Sequence, residues 1–448
     1  MVNDLYVLMI TAGIVSLLFK WLKQPVVLGY IVAGLIVGPY SFGGSFVDAN
    51  NVETWGNIGV LFVLFCIGLE FRIINLIRSG KVAAIGALTI IGGMMLLGYG
   101  VGKWAELDMM NSLFLAGMLC MSSTTIVMKA VDEAGLSKAR FVKGATSILI
   151  IEDVVAVVLM VLLSSIAIKH QFEGVELLKK VGVLALTLVV WFIVGILAIP
   201  TFIRKIKPYL NDETLIILSL GLCLGMVLTA EEAGFSGALG AFVMGTILAE
   251  TVEAHRIEKL MTPLKNVFAA IFFISVGMMI NPANLVEYWD SILFVSVVIV
   301  VGMILFGTLG CWWGGQTFKD SVQTGFSFVQ IGEFSFIIAG LGSSLGVMHP
   351  ALYPVIVASS VVTTFLTPYI MKASIPCYNF LYAHAPQRMR TKIDQREQKV
   401  AEQELQSNEA NNNSKLADKA RNAVKYTYIT KHLVNLFIKN MSEKDEKQ

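Results

Sequence analysis

The sequence predicts an all-α polytopic membrane protein of about 13 transmembrane helices in two inverted-topology repeats, and three observations carry that reading. Of 448 residues 56% are hydrophobic and 15% charged, with a mean hydropathy of +0.72, whereas water-soluble domains carry nearer a quarter charged residues. Apolar runs close to the ~20 residues that cross a bilayer recur as far as residue 375. Short motifs also return in the second half, in segments that must run the opposite way.

By the length rule the spans fall near 4–21, 25–39, 56–70, 82–103, 109–130, 144–166, 180–201, 212–231, 234–250, 264–280, 289–312, 321–343 and 350–372. The first has an apolar centre from Leu5 to Phe19, with nothing basic before it and no small-residue cleavage site after it. It therefore reads as a span and not as a secretory signal. Lys and Arg in short loops set the orientation. Lys20 and Lys23, then Arg72, Arg78 and Lys81, then Lys138, Arg140 and Lys143 fall in alternate loops. So do Arg204, Lys205 and Lys207, then Arg256, Lys259 and Lys265. Those loops are expected to be cytoplasmic, with the amino terminus outside and the carboxyl terminus inside. The 167–180 loop, with Lys169, Lys179 and Lys180, departs from the pattern.

The apolar composition makes the lipid bilayer a partner, and a net charge of +2 with no basic stripe argues against nucleic acid. The five cysteines are scattered through apolar segments without C-x-x-C spacing, which reads as small core residues and not as disulfides or metal ligands. The five histidines fall in loops or the tail and read as surface residues. Beyond about residue 385 the chain turns polar, with a mildly amphipathic stretch from Lys415 to Lys439, and is expected to be a cytoplasmic tail.

Leu28 to Gly34 (LGYIVAG) reads against Leu239 to Gly245 (LGAFVMG), an offset of 240 − 29 = 211. Cys66 to Leu69 (CIGL) reads against Ser275 to Met278 (SVGM), an offset of 277 − 68 = 209. Repeats an odd number of spans apart run in opposite directions, which is the inverted repeat of secondary transporters.

Carriers of that kind place their site where helices break at mid-depth, in matching places of the two halves. The fifth span holds Ser122, Ser123, Thr124 and Thr125 in its interior; about 210 residues on lie Gly332, Glu333 and Ser335 in the twelfth. Interrupted backbone is tolerated in a membrane only where it lines a cavity or is buried in protein. Ser123, Thr124 and Thr125 are accordingly candidates for the helix break or for ion coordination. Glu333 is read either as compensating the positive ends of the half-helices or as an ion ligand.

The sixth span places Glu152 and Asp153 among apolar residues. An Asp at the centre of a spanning helix costs around 2.5–3.5 kcal/mol, which points to function. Neighbouring helix residues project about 100° apart, so one carboxyl faces the cavity and the other a neighbouring helix. A carboxyl is both a hard oxygen ligand for an alkali cation and a proton acceptor, and the two compete for one group. Asp153 and Glu152 are the candidate ion- and proton-binding residues. An intramembrane aspartyl protease would need a G-x-G-D turn on a separate span, which the sequence lacks.

These motifs resemble those of the monovalent cation:proton antiporter-2 family, which includes Kef-type potassium efflux proteins and bacterial sodium/proton antiporters. The resemblance covers roughly residues 5 to 375 and rests on LGYIVAGLIVGP (28–39), LFCIGLEF (64–71), SSTTIV (122–127), the Glu152-Asp153 pair, FSGALGAFVMG (235–245), FFISVGM (272–278) and QIGEFSF (330–336). It implies an NhaA-like antiporter fold, a homodimer and an elevator motion. Residues 1–80 and 211–285 would be scaffold, 81–175 and 286–375 the transporting core, 176–210 a linker helix and 376–448 the tail. It implies exchange of K+ or Na+ for H+ at the inner (plasma) membrane, with Asp153 as the ion-binding aspartate and neither enzymatic activity nor a cofactor. A gated cation channel on the same scaffold is the alternative.

Two departures stand out. Glu152 replaces the glutamine or aspartate that relatives place before the aspartate, and the eleventh span reads Ile299-Val300-Val301-Gly302-Met303 where electrogenic relatives carry a lysine. The missing lysine leans toward one-for-one exchange. The tail also lacks the G-x-G-x-x-G turn of the Kef-type regulatory domain. A separate cytoplasmic regulatory subunit, or a further part of the chain, would have to supply it.

Overall fold

The computed structural model describes residues 2–22, 24–40, 47–71, 80–169, 174–233, 235–400 and 402. Every regular element among them is helical. Arg72, Arg78, His170, His432 and the stretch from Lys415 to Lys439 lie outside the described residues. The chain divides into two compact units, 1–380 and 381–448.

In the first unit, one set of helices comprises α1 (Val2–Trp21), α2 (Val26–Val37) and α3 (Ala49–Glu70). It is followed by α4 (Gly80–Trp104), α5 (Met109–Leu119), α6 (Thr124–Glu133) and the long α7 (Arg140–Lys169). After α8 (Gly174–Ile206) come α9 (Asp212–Glu232), α10 (Gly237–Ala249) and α11 (Ala254–Met278). The short α12 (Pro282–Glu287) leads to α13 (Trp289–Gly314), α14 (Phe318–Ser327), α15 (Glu333–Ser344) and α16 (Leu352–Lys372). Polar side chains start several of these helices by taking up a free backbone N–H, as Asp108 does for α5, Asn211 for α9 and Thr317 for α14.

Packing sorts these helices into two groups. In one, α3 packs on α10 and α11, α2 on α11 and α1, and α9 on α10. In the other, α4 packs on α5, α7 and α13, while α13 packs on α14 and α16 and α15 on α5. The first group is fastened by glycines. A β-carbon at Gly34 would collide with the Ile274 carbonyl and one at Gly277 with the Ile31 carbonyl, so α2 and α11 touch backbone to backbone. Gly68 and Gly245 bring α3 and α10 together in the same way, against the Phe242 and Phe65 carbonyls. These are four of the six glycines that the sequence repeat aligns, Gly34 meeting Gly277 and Gly68 meeting Gly245.

Eight helices among the described residues are long and apolar enough to cross a membrane, and four apolar helices are shorter. The shorter ones are Val26–Val37, Thr54–Glu70, Gly237–Ala249 and Glu333–Ser343. At 12 residues, α2 rises only about 18 Å, well under the ~30 Å of hydrocarbon.

The loop assignments shift: Lys20, Lys81, Arg140, Lys143, Arg204 and Lys205 fall within the ends of helices. Arg256, Lys259 and Lys265 lie on α11 and not in a loop, because that helix starts at Ala254 and runs through Pro263. Hydropathy ends a span at its first charge, but an amphipathic helix continues past it. In the second unit a helix covers 387–400, and the Tyr382 hydroxyl donates to Asp394 Oδ1 at 2.8 Å.

Candidate cation site at the crossing of two interrupted helices

Two apolar segments lose helical form midway. Between α5 and α6 the break runs over residues 120–123, and between α14 and α15 over 328–332. The breaks cross. Gly332 N donates to the Met121 carbonyl at 2.8 Å, and the Ser335 hydroxyl donates to the Met118 carbonyl at 2.5 Å. Gln330 ties the strands reciprocally: its Nε2 donates to the Ser123 carbonyl at 3.2 Å while its Oε1 accepts from Ser123 N at 3.4 Å. Gly332 N, Ser123 N and the Met118, Met121 and Ser123 carbonyls thereby find partners across the crossing, as buried polar groups must.

Ser123 caps α6, its Oγ accepting from Ile126 N. The same hydroxyl donates to Glu333 Oε2 at 3.3 Å. Glu333 itself occupies the first turn of α15. One carboxyl therefore faces the positive amino ends of two half-helices, where a negative charge is favoured.

On α7 the two acids diverge. Glu152 is 1% exposed; its Oε2 accepts from Ser122 N at 3.2 Å and its Oε1 has no hydrogen-bond partner among the described residues. Asp153 is only partly buried. Beside its carboxyl is the Thr124 hydroxyl, and within reach of its charge are Glu333, Glu70 and Lys265. Thr125 is exposed and lies outside this cluster.

Gln330, Glu70 and Lys265 are not site residues that the sequence alone points to. Gln330 and Glu70 belong to the motifs QIGEFSF and LFCIGLEF, yet nothing in a string shows which backbone an amide will clasp. Lys265 Nζ lies 2.7 Å from Glu70 Oε1, a pairing between α3 and α11 that no local spacing announces.

A cavity of about 600 Å³ opens between the two helix groups. Asn57, Ser275 and Glu231 line one side, and Phe336, Gly340 and Tyr353 the other. Its lining ends at Phe336, one turn short of Glu333, where the Phe336 ring meets Phe273 edge to face at 6.1 Å. Glu70 ends α3, far from the cavity residue Asn57, and Lys265 lies near the middle of α11, ten residues before the cavity residue Ser275.

The family model described as "Sodium/hydrogen exchanger, transmembrane" matches residues 6–373. K(+) efflux antiporter 5 of Arabidopsis thaliana is 29% identical over 83% of this chain and 66% of its own length. The putative cation/proton antiporter YbaL of Escherichia coli is 27% identical over 80% of this chain and 66% of its own. The chain thus spans just under two thirds of those relatives. It matches 93% of the K(+)/H(+) antiporter subunit KhtU of Bacillus subtilis, at 27% identity. The solved sodium proton antiporter MjNhaP1 of Methanocaldococcus jannaschii shares the fold, with a TM-score of 0.63 at 17% identity over 85% of this chain and 96% of that one.

Proposed function

The chain belongs to the transmembrane sodium/hydrogen exchanger family, and from that premise we propose that it exchanges K+ or Na+ for H+ at Asp153. One observation carries the reading: the half-buried Asp153 carboxyl lies beside Thr124, the residue that starts α6 where the two interrupted helices cross. A cation and a proton cannot occupy one carboxyl together, so emptying it of one is the condition for loading the other. Glu333 neutralises the half-helix ends, Ser123 and Thr124 complete the polar lining, and Glu152 holds the first break from behind. One half-buried carboxyl beside one that is fully buried supports one-for-one exchange.

Alternating access is assigned to sliding of the core, α4 to α7 with α13 to α16, against the scaffold of α1 to α3 and α9 to α11. A cavity that opens between the two helix groups and whose lining stops at Phe336, short of Glu333, supports access from one side at a time. A full set of thirteen spans in inverted repeats, an amino terminus outside, a homodimer in the inner membrane and a separate cytoplasmic regulatory subunit belong to the same proposal. The repeat-matched glycine contacts support the first, and the relative named as an antiporter subunit supports the last.

In proteoliposomes, Asp153→Asn abolishes cation-dependent collapse of a proton gradient; exchange near the wild-type rate would remove Asp153 from the mechanism. A gated channel is separated by uphill cation accumulation driven by a pH gradient, which a channel cannot produce. Testing each alkali chloride in turn, with and without a voltage clamp, identifies the ion and the charge moved per cycle.

A further inference from the structure

A second hollow, of about 430 Å³, lies between the end of α1, the first turns of α2 and the second half of α16. Phe19, Leu28 and Val32 wall it on one side and Val361, Phe365 and Leu366 on the other. Its walls therefore come from both helix groups, α1 and α2 from one and α16 from the other. Gly29 shapes the first wall: a β-carbon there would stand 2.9 Å from the Phe19 ring, so the ring rests directly on the backbone of α2. Val32, Phe365 and Leu366 remain exposed, which makes the hollow a groove open along its length. Gln24 is the one polar residue lining it among the described residues, and its Oε1 is buried with no hydrogen-bond partner among them.

The rim of this groove is basic and aromatic. Lys20 follows Phe19 on α1, and Lys372 ends α16, about 9 Å along the axis beyond Leu366. Trp21 and Tyr369 accompany them, both exposed. Exposed Trp and Tyr beside Lys mark the depth at which lipid headgroups sit. Below that depth the open side of an apolar groove meets hydrocarbon, and leaving it empty would forfeit the dispersion contacts of its lining.

We propose that this groove is a binding site for one anionic phospholipid of the surrounding leaflet, an acyl chain lying between α2 and α16 and the phosphate held by Lys20 and Lys372. Gln24 Oε1 offers an acceptor at the headgroup end, which favours a headgroup carrying a hydroxyl, as in phosphatidylglycerol. A lipid seated there touches both helix groups at once, unlike lipid that covers the face of a single helix. It is a separate site from the carboxyl cluster, and its binding is read without transport, so the outcome stands apart from exchange at Asp153.

Native mass spectrometry of the whole chain, titrated in detergent with phosphatidylglycerol and with phosphatidylcholine of the same acyl chains, reads the occupancy. The first phosphatidylglycerol on each chain is expected to bind more tightly than phosphatidylcholine. Lys20→Gln and Lys372→Gln each weaken it by about fivefold, the worth of one basic residue at an anionic surface. Val361→Trp fills the groove and removes that first binding event. Equal affinity for the two lipids, or binding unchanged in these variants, overturns the proposal and leaves ordinary annular lipid. A free fatty acid that binds as tightly as phosphatidylglycerol and equally well to the lysine variants overturns it too, since the groove would then select hydrocarbon alone. Should Val361→Trp fail to fold, Val32→Trp fills the groove from the opposite wall, and the two lysine variants test the headgroup contact by themselves.

Discussion

Gly332 presses on the backbone of Ser123: a β-carbon at position 332 would stand 2.9 Å from the Ser123 nitrogen and 3.0 Å from its Cα. Two interrupted helices can approach this closely only because one of them has no side chain at the contact. Gly332→Ala pushes the breaks apart and costs about 1–3 kcal/mol, as overpacking does. A lower thermal midpoint in detergent together with slower exchange is expected; an unchanged protein would show that the crossing has slack.

Glu152 and its amide behave alike. Gln at 152 retains an oxygen to accept from Ser122 N, so Glu152→Gln keeps exchange and leaves the charge moved per cycle unaltered. Glu152→Ala strands that N–H in a buried site and destabilises by about 1–3 kcal/mol. Voltage-clamped vesicle flux checks the first expectation and thermal unfolding the second. A change in charge per cycle on Glu152→Gln would make Glu152 a proton carrier.

Gln330 both donates to and accepts from Ser123, a bond pair that no carboxylate reproduces. Gln330→Glu loses the donor and Gln330→Leu loses both bonds, each orphaned backbone group costing about 1–3 kcal/mol. The leucine variant is expected to be the less stable in a melting series. Equal midpoints for the two would leave the acceptor half of the clasp without weight.

Away from the spans, Glu253 lies between Lys207 Nζ at 2.8 Å and Arg256 Nη1 at 3.4 Å. The hydrogen bond from Lys207 holds its carboxyl below the ordinary 4.5. A folded-state value depressed below the unfolded one gives stability that is present above the unfolded value and lost as pH falls through the folded value. Glu253→Gln therefore lowers the thermal midpoint at neutral pH, and the gap to wild type closes below about pH 4. A gap constant with pH would assign the effect to packing.

The sequence made both breaks readable because polar residues interrupt apolar runs there, and because the repeat put them in register. It made the split between Glu152 and Asp153 an expectation through helical geometry alone. The cluster from Ser122 to Thr125 read as one unit, yet successive helix residues diverge by about 100°, and Thr125 points out. Lys265 was hidden for another reason. Hydropathy assigned it to a loop, and only the tertiary meeting of α3 with α11 brings it to Glu70.

Where α2 meets α11 and α3 meets α10, main chain rests on main chain, which leaves those seams no compliant side chains to absorb a displacement. A frame bolted in this way behaves as a stiff plate. A substitution as small as Gly277→Ala, whose β-carbon would meet the Ile31 carbonyl, would be felt as a warped frame before it was felt as a lost ion.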